Sequence, residues 1–273
     1  MLHIDLRRTR PETGTDLREW CLRLYPAIQI GQMIFPTFGI ALAIGFIAAA
    51  FFAIARARRY GIARATTLGA ALVGLASAEV GARLAGFLLF ISFRWSNPNV
   101  ELSLGLALAA LAVSTWARMR RASLAALADC FAQPLALALI LVRFGCFLAG
   151  CDFGRPAGAG WGVLFTNLLA LAWYRTPLGT RLHPTQLYEC CLAALILLFL
   201  TQIERRKPAA GVPFLVLVVS YAFGRFFIEF LRGDADRGFL GPLSIPQWFC
   251  TLILVVVVTL LTLHSRPRTI QSR

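Results

Sequence analysis

The strongest constraint on this chain is an alternation of long apolar segments with arginine clusters. Segments 35–55, 102–116, 184–203 and 248–264 run into the basic stretches "RARRYGIAR", "ARMRRA", "ERRKP" and "SRPR". Segments 68–90, 124–150 and 211–231 lead instead to "RWSNPN", "RFGCFLAGCDFGRP" and "RGDADRGFLGPLS". Apolar runs of this length read as membrane spans, and arginines gather on cytoplasmic flanks. The pattern predicts an all-α polytopic membrane protein of seven transmembrane helices, with the N-terminus outside and the C-terminus cytoplasmic. At 58% hydrophobic residues, the chain has too little polar side chain to wrap a soluble globule. Its net charge of +14 is almost all arginine, Lys207 being the only lysine. Because the arginines flank spans rather than line one stripe, they suit membrane topology and not nucleic acid.

The expected organisation is an interfacial segment over 1–30, a seven-helix unit over 31–264 and a cytoplasmic basic tail over 265–273. Arg7, Arg8, Arg10, Arg18 and Arg23 fall on the external side in this topology, which suggests a surface helix among lipid head groups. The first twenty residues lack an apolar core, so no cleavable signal peptide is expected. The stretch 152–181 is the only sizeable external loop, so any external head is small. Of seven cysteines, Cys21, Cys130, Cys190, Cys191 and Cys250 lie in or beside apolar segments and read as packed thiols. Cys146 and Cys151 sit at an external helix end, where a disulfide, a packed thiol pair and a reactive thiol all fit. No metal ligand set is apparent.

Charge inside a bilayer costs roughly 2.5–3.5 kcal/mol per residue on insertion scales, so each intramembrane charge is a functional candidate. Glu79 and Arg83 are four apart in the second span, in the favourable order for a helical pair. Asp129 reads as a cap or pairing residue near the cytoplasmic face. Arg143 has no acid before it at helical spacing and therefore calls for an anion. In "SYAFGRFFIEFLRGD", Tyr221, Arg225, Glu229 and Arg232 fall on one helical stripe. Arg143 and Arg225, the latter oriented by Glu229, would suit a phosphate, since guanidinium stays charged and grips oxygens in pairs. In a membrane, phosphate implies a phospholipid head group. "HPTQLYE" opens the fifth span with Pro184 at a helix start, and carries His183, Gln186, Tyr188 and Glu189 into the interface.

These clusters, in this order, resemble the bacterial prolipoprotein diacylglyceryl transferase family. "RFGCFLAGCDFGRP" is similar to the family's Arg-x-Gly-Asn-Phe signature followed by Gly-Arg-Pro. "WGVLF", "HPTQLYE", "YAFGRFFIEFLR", "FPTFGIALAIGF" and "GARL" are similar to further family segments, so that the resemblance spans roughly Phe35 to Val258. It implies a bacterial inner-membrane enzyme without cofactor. Such an enzyme moves the diacylglyceryl group of phosphatidylglycerol to the lipobox cysteine behind a prolipoprotein signal peptide, releasing glycerol phosphate. By resemblance, Arg143 and Arg225 hold the donor phosphate, while Glu229 and Tyr221 orient Arg225. His183, Gln186, Tyr188 and Glu189 shape the external wall, with Arg83, Arg155, Cys146, Cys151 and Asp152 also expected near the substrates. No metal is implied.

The sequence departs from the family pattern in three places. The His-Gly-Gly segment before the third span is replaced by "NPNVELSLGLAL", with Glu101 as the nearest polar residue. The signature asparagine is Cys146, and the acid a few positions later is Cys151, with Asp152 beside it. The tyrosine of the first span is Phe38. The phosphate-holding half is thus present while the acceptor-activating half has changed. Glu101, Asp152 and His183 are the candidate bases for a transferase. A relative serving another acceptor and a non-enzymatic lipid-binding protein are the alternatives; a transporter would be expected to carry an internal repeat, and none is visible.

Overall fold

The computed structural model describes residues 24–93, 97–158, 161–234 and 237–264. The N-terminal arginines, Cys21 and the basic tail lie outside these residues. Where the description begins, β1 (Ala27–Ile30) and β2 (Met33–Pro36) pair as an antiparallel hairpin. The expected boundary at residue 30 falls in its turn, at Gly31. Phe35 and Pro36 are therefore strand, and the first span begins at Thr37.

Seven helices among the described residues are long and apolar enough to cross a membrane, so the chain is a multi-pass membrane protein. They are α1 (Thr37–Arg56), α2 (Arg64–Phe93), α3 (Pro98–Met119), α4 (Leu124–Ala149), α6 (Thr185–Arg205), α7 (Val212–Ile228) and α8 (Ile245–His264). The short helix α5 (Leu168–Tyr174) lies in the loop after α4, between β3 (Val163–Leu164) and β4 (Arg181–Leu182), which pair antiparallel. A second small pair, β5 (Phe239–Leu240) and β6 (Leu243–Ser244), links α7 to α8.

Local chemistry explains where these helices begin and end. Asn97 accepts hydrogen bonds from Asn99 N and Val100 N, with Pro98 in the first turn of α3, and Ser123 accepts from Ala126 N at the start of α4. Asp129 does cap, but across helices: its oxygens accept Gly211 N at 2.6 Å and Phe214 N at 3.0 Å, satisfying the first turn of α7. Tertiary packing places α4 at the centre, against α1, α6 and α7, while α2 and α3 pack on each other. The central helix is the one that carries Arg143. Along α1, α2, α3 and α8 the outward surfaces are leucine, isoleucine, valine and phenylalanine, as a lipid-facing surface requires.

Candidate active site

At the C-terminal end of α4 the chain stops on Gly150, whose φ of 86° is one that glycine adopts without strain. The chain then reverses through Asp152, and residues 153–156 run between two other segments. Gly154 bridges to Arg232 and Pro156 to Leu182, both antiparallel. A Cβ on Gly154 would sit 2.4 Å from the His183 carbonyl oxygen, so glycine is required for that approach. "GRP" is therefore an extended segment sewn to the chain just before α6 and just after α7. This stitching brings residues 143, 152, 189, 225 and 232 to one end of the bundle.

There the arginines are already paired. Arg143, expected to lack an acid, has two: Nη1 lies 2.6 Å from Asp152 Oδ2, and Nε lies 2.8 Å from Glu189 Oε2. Neither partner is at helical spacing, since one lies beyond the helix end and the other on α6. The same Glu189 oxygen is 3.5 Å from Arg225 Nε and accepts the Tyr221 hydroxyl at 2.9 Å. Tyr221 in turn accepts Arg143 Nη2 at 3.4 Å. Arg225 is ion-paired to Glu229 within one helical turn, as the stripe predicted. The helix tightens to a 3-10 turn over Glu229–Leu231, after which Arg232 swings back to meet Asp152 Oδ1 at 2.6 Å and Asp234 at 2.7 Å.

Glu229 is fixed from its far side. Its Oε1 accepts Ser244 Oγ at 2.9 Å and lies 3.6 Å from Arg237, while its backbone carbonyl accepts Arg237 Nη1 at 2.9 Å. Ser244 and Gln247 form a reciprocal capping box at the start of α8: Ser244 N donates to Gln247 Oε1 and Gln247 N donates to Ser244 Oγ. The sequence reading does not single out Ser244, Gln247, Asp234 or Arg237. The S-x-x-Q spacing was visible, but its link to Glu229 depends on α7 and α8 meeting.

The cluster holds four guanidinium groups, Arg143, Arg225, Arg232 and Arg237, against four carboxylates, Asp152, Glu189, Glu229 and Asp234. Removing either sign from such a set leaves an unpaired buried charge, which is costly. Glu189 and Glu229 are buried on helices, whereas Asp152 is 31% exposed and sits on the loop. Burial opposes the ionisation of Asp152, but Arg232 and Arg143 outweigh it and hold its carboxyl well below the usual carboxylate range. Asp152 is thus an ionised, accessible anion resting on Arg143.

The "HPTQLYE" side chains divide between this cluster and its rim. His183 Nδ1 is 3.1 Å from the Tyr188 hydroxyl, which also accepts Trp161 Nε1 at 3.0 Å. With Nδ1–H donating to the Tyr188 oxygen, the imidazole carries its free lone pair on Nε2. Gln186 donates to the Cys151 carbonyl, and Thr185 Oγ1 to the Asp152 carbonyl at 2.7 Å. Arg155 is exposed and lines a cavity of about 380 Å³ together with Glu229, Arg232 and Arg237. Cys146 and Cys151 are free thiols.

Two further expected residues lie on α2 and α3. Arg83 pairs with Glu79 on an exposed surface of α2, a helix that packs on α3 and α1. Glu101 lies against Gly86, where a Cβ would come within 2.9 Å of its Cδ. At the opposite end of the bundle, Arg56 pairs with buried Glu204 and donates to Gln133 Oε1 at 2.6 Å and the Tyr60 hydroxyl at 2.9 Å. In the sequence Arg56 is indistinguishable from the topology-setting arginines beside it; only Glu204, far along the chain, reveals its structural role.

Comparison with known proteins adds to this geometry. The family model described as prolipoprotein diacylglyceryl transferase matches residues 26–263. A phosphatidylglycerol–prolipoprotein diacylglyceryl transferase of Geobacter sulfurreducens is 32% identical over 256 residues, covering 88% of this chain and 95% of the relative. One of the same description from Clostridium tetani is 30% identical, covering 81% and 89% respectively.

Proposed function

Since the chain belongs to the prolipoprotein diacylglyceryl transferase family, we propose that it transfers the diacylglyceryl group of phosphatidylglycerol to the lipobox cysteine thiol of a prolipoprotein. Residues 31–264 form the transferase unit in this reading, flanked by an interfacial segment over 1–30 and a basic tail over 265–273. The arginine cluster faces outward from a bacterial inner membrane, and the C-terminus is cytoplasmic.

The observation that carries the reading is the convergence of Arg143 and Arg225 on one buried oxygen of Glu189. Two guanidinium groups held side by side at the head-group end of a bundle suit a phosphodiester. As the acceptor sulfur attacks the glyceryl carbon, the carbon–oxygen bond to phosphate breaks and the bonding pair leaves with glycerol phosphate. The growing charge falls where the arginines are pre-positioned, the condition under which electrostatic stabilisation is strongest. Glu189 and Glu229 fix the two guanidinium planes, and Tyr221 ties Glu189 to Arg143.

The resting cluster is balanced, so an incoming phosphate must replace a carboxylate. Asp152 yields most readily, being loop-borne and partly exposed, whereas Glu189 and Glu229 are locked on helices. Asp152 therefore acts as the anion that occupies Arg143 until the donor arrives. The acceptor thiol, with an unperturbed pKa near 8.5, needs a base. His183, with its Nδ1 met by Tyr188, is positioned to take that proton at the loop side; Tyr188, Gln186 and Arg155 form the wall past which the peptide enters.

The test is a reconstituted assay with purified protein, phosphatidylglycerol and a lipobox peptide, read by mass spectrometry. Diacylglyceryl addition that disappears when the peptide cysteine becomes serine is the expected result. No product beside an active family member would overturn the acceptor assignment and redirect attention to a different thiol or hydroxyl.

A further inference from the structure

Cys146 and Cys151 take no part in the chemistry above, yet the end of α4 sets their thiols together. Gly150 N donates to the Cys146 carbonyl at 2.9 Å and to the Phe147 carbonyl at 3.2 Å. In this kind of helix stop, the residue after the glycine folds back over the residue four before it. Here both residues are cysteine. Their sulfurs and a carboxylate oxygen of Asp152 all lie within 4.8 Å of one another. Changing one side chain between staggered rotamers moves its sulfur by about 3 Å, enough to close such a gap to the ~2.05 Å of a disulfide.

We propose that Cys146 and Cys151 form a reversible disulfide that holds Asp152 on Arg143 and so weakens binding of the lipid donor. The proposal rests on the reading of Arg143 as a phosphate ligand. Asp152 directly follows Cys151 and adopts a left-handed φ of 57°. The carbonyls of Cys151 and Asp152 are already tied to Gln186 and Thr185. A covalent link from Cys151 to the last turn of α4 removes most of the freedom this turn keeps. The carboxylate that must swing away for phosphate then stays in the fork between Arg143 and Arg232.

The oxidant is a disulfide, small or protein-borne. Cys151 is half-buried and Cys146 buried, so the oxidant meets Cys151 first. The Cys151 thiolate attacks one sulfur of the oxidant and expels the other as a thiol. Cys146 then attacks the mixed disulfide, closing the internal bond and releasing the second thiol. Two protein thiols and one disulfide thus become one protein disulfide and two thiols. The Cys146 thiol and burial both push the Cys151 thiol up from its ordinary value; exchange is therefore slow and needs mildly alkaline buffer in the test. A soft divalent cation at the same three groups is disfavoured because Arg143 and Arg232 already hold Asp152.

The experiment uses the full chain equilibrated in oxidised or reduced glutathione buffers at mildly alkaline pH. Free thiols are blocked with a maleimide, the 146–151 linkage is mapped by mass spectrometry, and the KM for phosphatidylglycerol is measured in each state. Expected is a linked pair and a KM that rises by roughly fivefold or more on oxidation and returns on reduction. In Cys146→Ser and Cys151→Ser the oxidised-to-reduced KM ratio goes to one. Absence of the linkage in oxidising buffer overturns the proposal, as does linkage with an unchanged KM. Protection of both thiols by zinc in reducing buffer, without linkage on oxidation, would make the pair a metal site instead. Reduced wild type without any transfer would overturn the parent reading and this gate with it, a result distinct from linkage without effect.

Discussion

Glu189 Oε2 lies 2.8 Å from Arg143 Nε, joining the start of α6 to the end of α4 at one end of the bundle. The same oxygen reaches Arg225, so one fully buried carboxylate aligns both proposed phosphate ligands. Glu189→Gln preserves volume but leaves the arginines short of one anion. It is expected to destabilise the protein by about 3–5 kcal/mol, the range for breaking a buried ion pair. Thermal unfolding of the detergent-purified variant checks this; an unchanged midpoint would mean that the pair contributes nothing to folding.

Arg143→Lys and Arg225→Lys separate charge from geometry. Lysine keeps a positive centre but loses the planar fork that grips two oxygens, so kcat/KM should fall by roughly 100-fold in each variant. The alanine variants should show no measurable transfer. Lysine variants with full activity would show that only net charge matters and that the paired geometry is incidental.

Asp152→Asn removes the anion that competes with donor phosphate. The KM for phosphatidylglycerol should fall by roughly tenfold, the equivalent of one charge-assisted hydrogen bond. A KM that rises instead would mark Asp152 as an orienting partner rather than a placeholder.

The same variant carries a pH signature. Because Arg232 and Arg143 hold the Asp152 carboxyl low, its contribution to stability is complete above the unfolded value and is lost only as pH falls through the folded one. The wild-type advantage in melting temperature over Asp152→Asn should therefore be flat from about pH 8 to about pH 5 and shrink only below about pH 4. A difference that changes near neutrality would implicate another group.

Arg56→Met tests the other end of the bundle. It leaves Glu204, which is 4% exposed, only the more exposed Arg59 at 3.7 Å, and should cost about 3 kcal/mol of stability. Transfer activity of the folded fraction should be unchanged, because Arg56 has no contact with the Arg143 cluster. Loss of activity in proportion to Arg143 variants would contradict a purely structural role.

Much of this protein was legible in the chain because membrane spans are a local property. Twenty apolar residues and the arginines that follow them need no partner to be recognised, and neither does the four-residue spacing of Arg225 and Glu229 within one helix. The family was legible for the same reason, its motifs being short continuous strings. The partners of Arg143 were not, since Asp152 lies past a helix stop and Glu189 on another helix. Nor was the separation of Arg83 from the cluster, which depends on α2 packing against α3.

The sequence by itself determined the seven spans, the arginine positions and the helix stop at Gly150, because hydropathy and backbone conformation are set by neighbours along the chain. Tertiary structure alone decided which carboxylate meets which guanidinium, and hence that the cluster rests in charge balance with Asp152 as its exposed member. Ion pairing acts over a few ångströms in space regardless of separation along the chain, so it is settled only when α4, α6 and α7 pack.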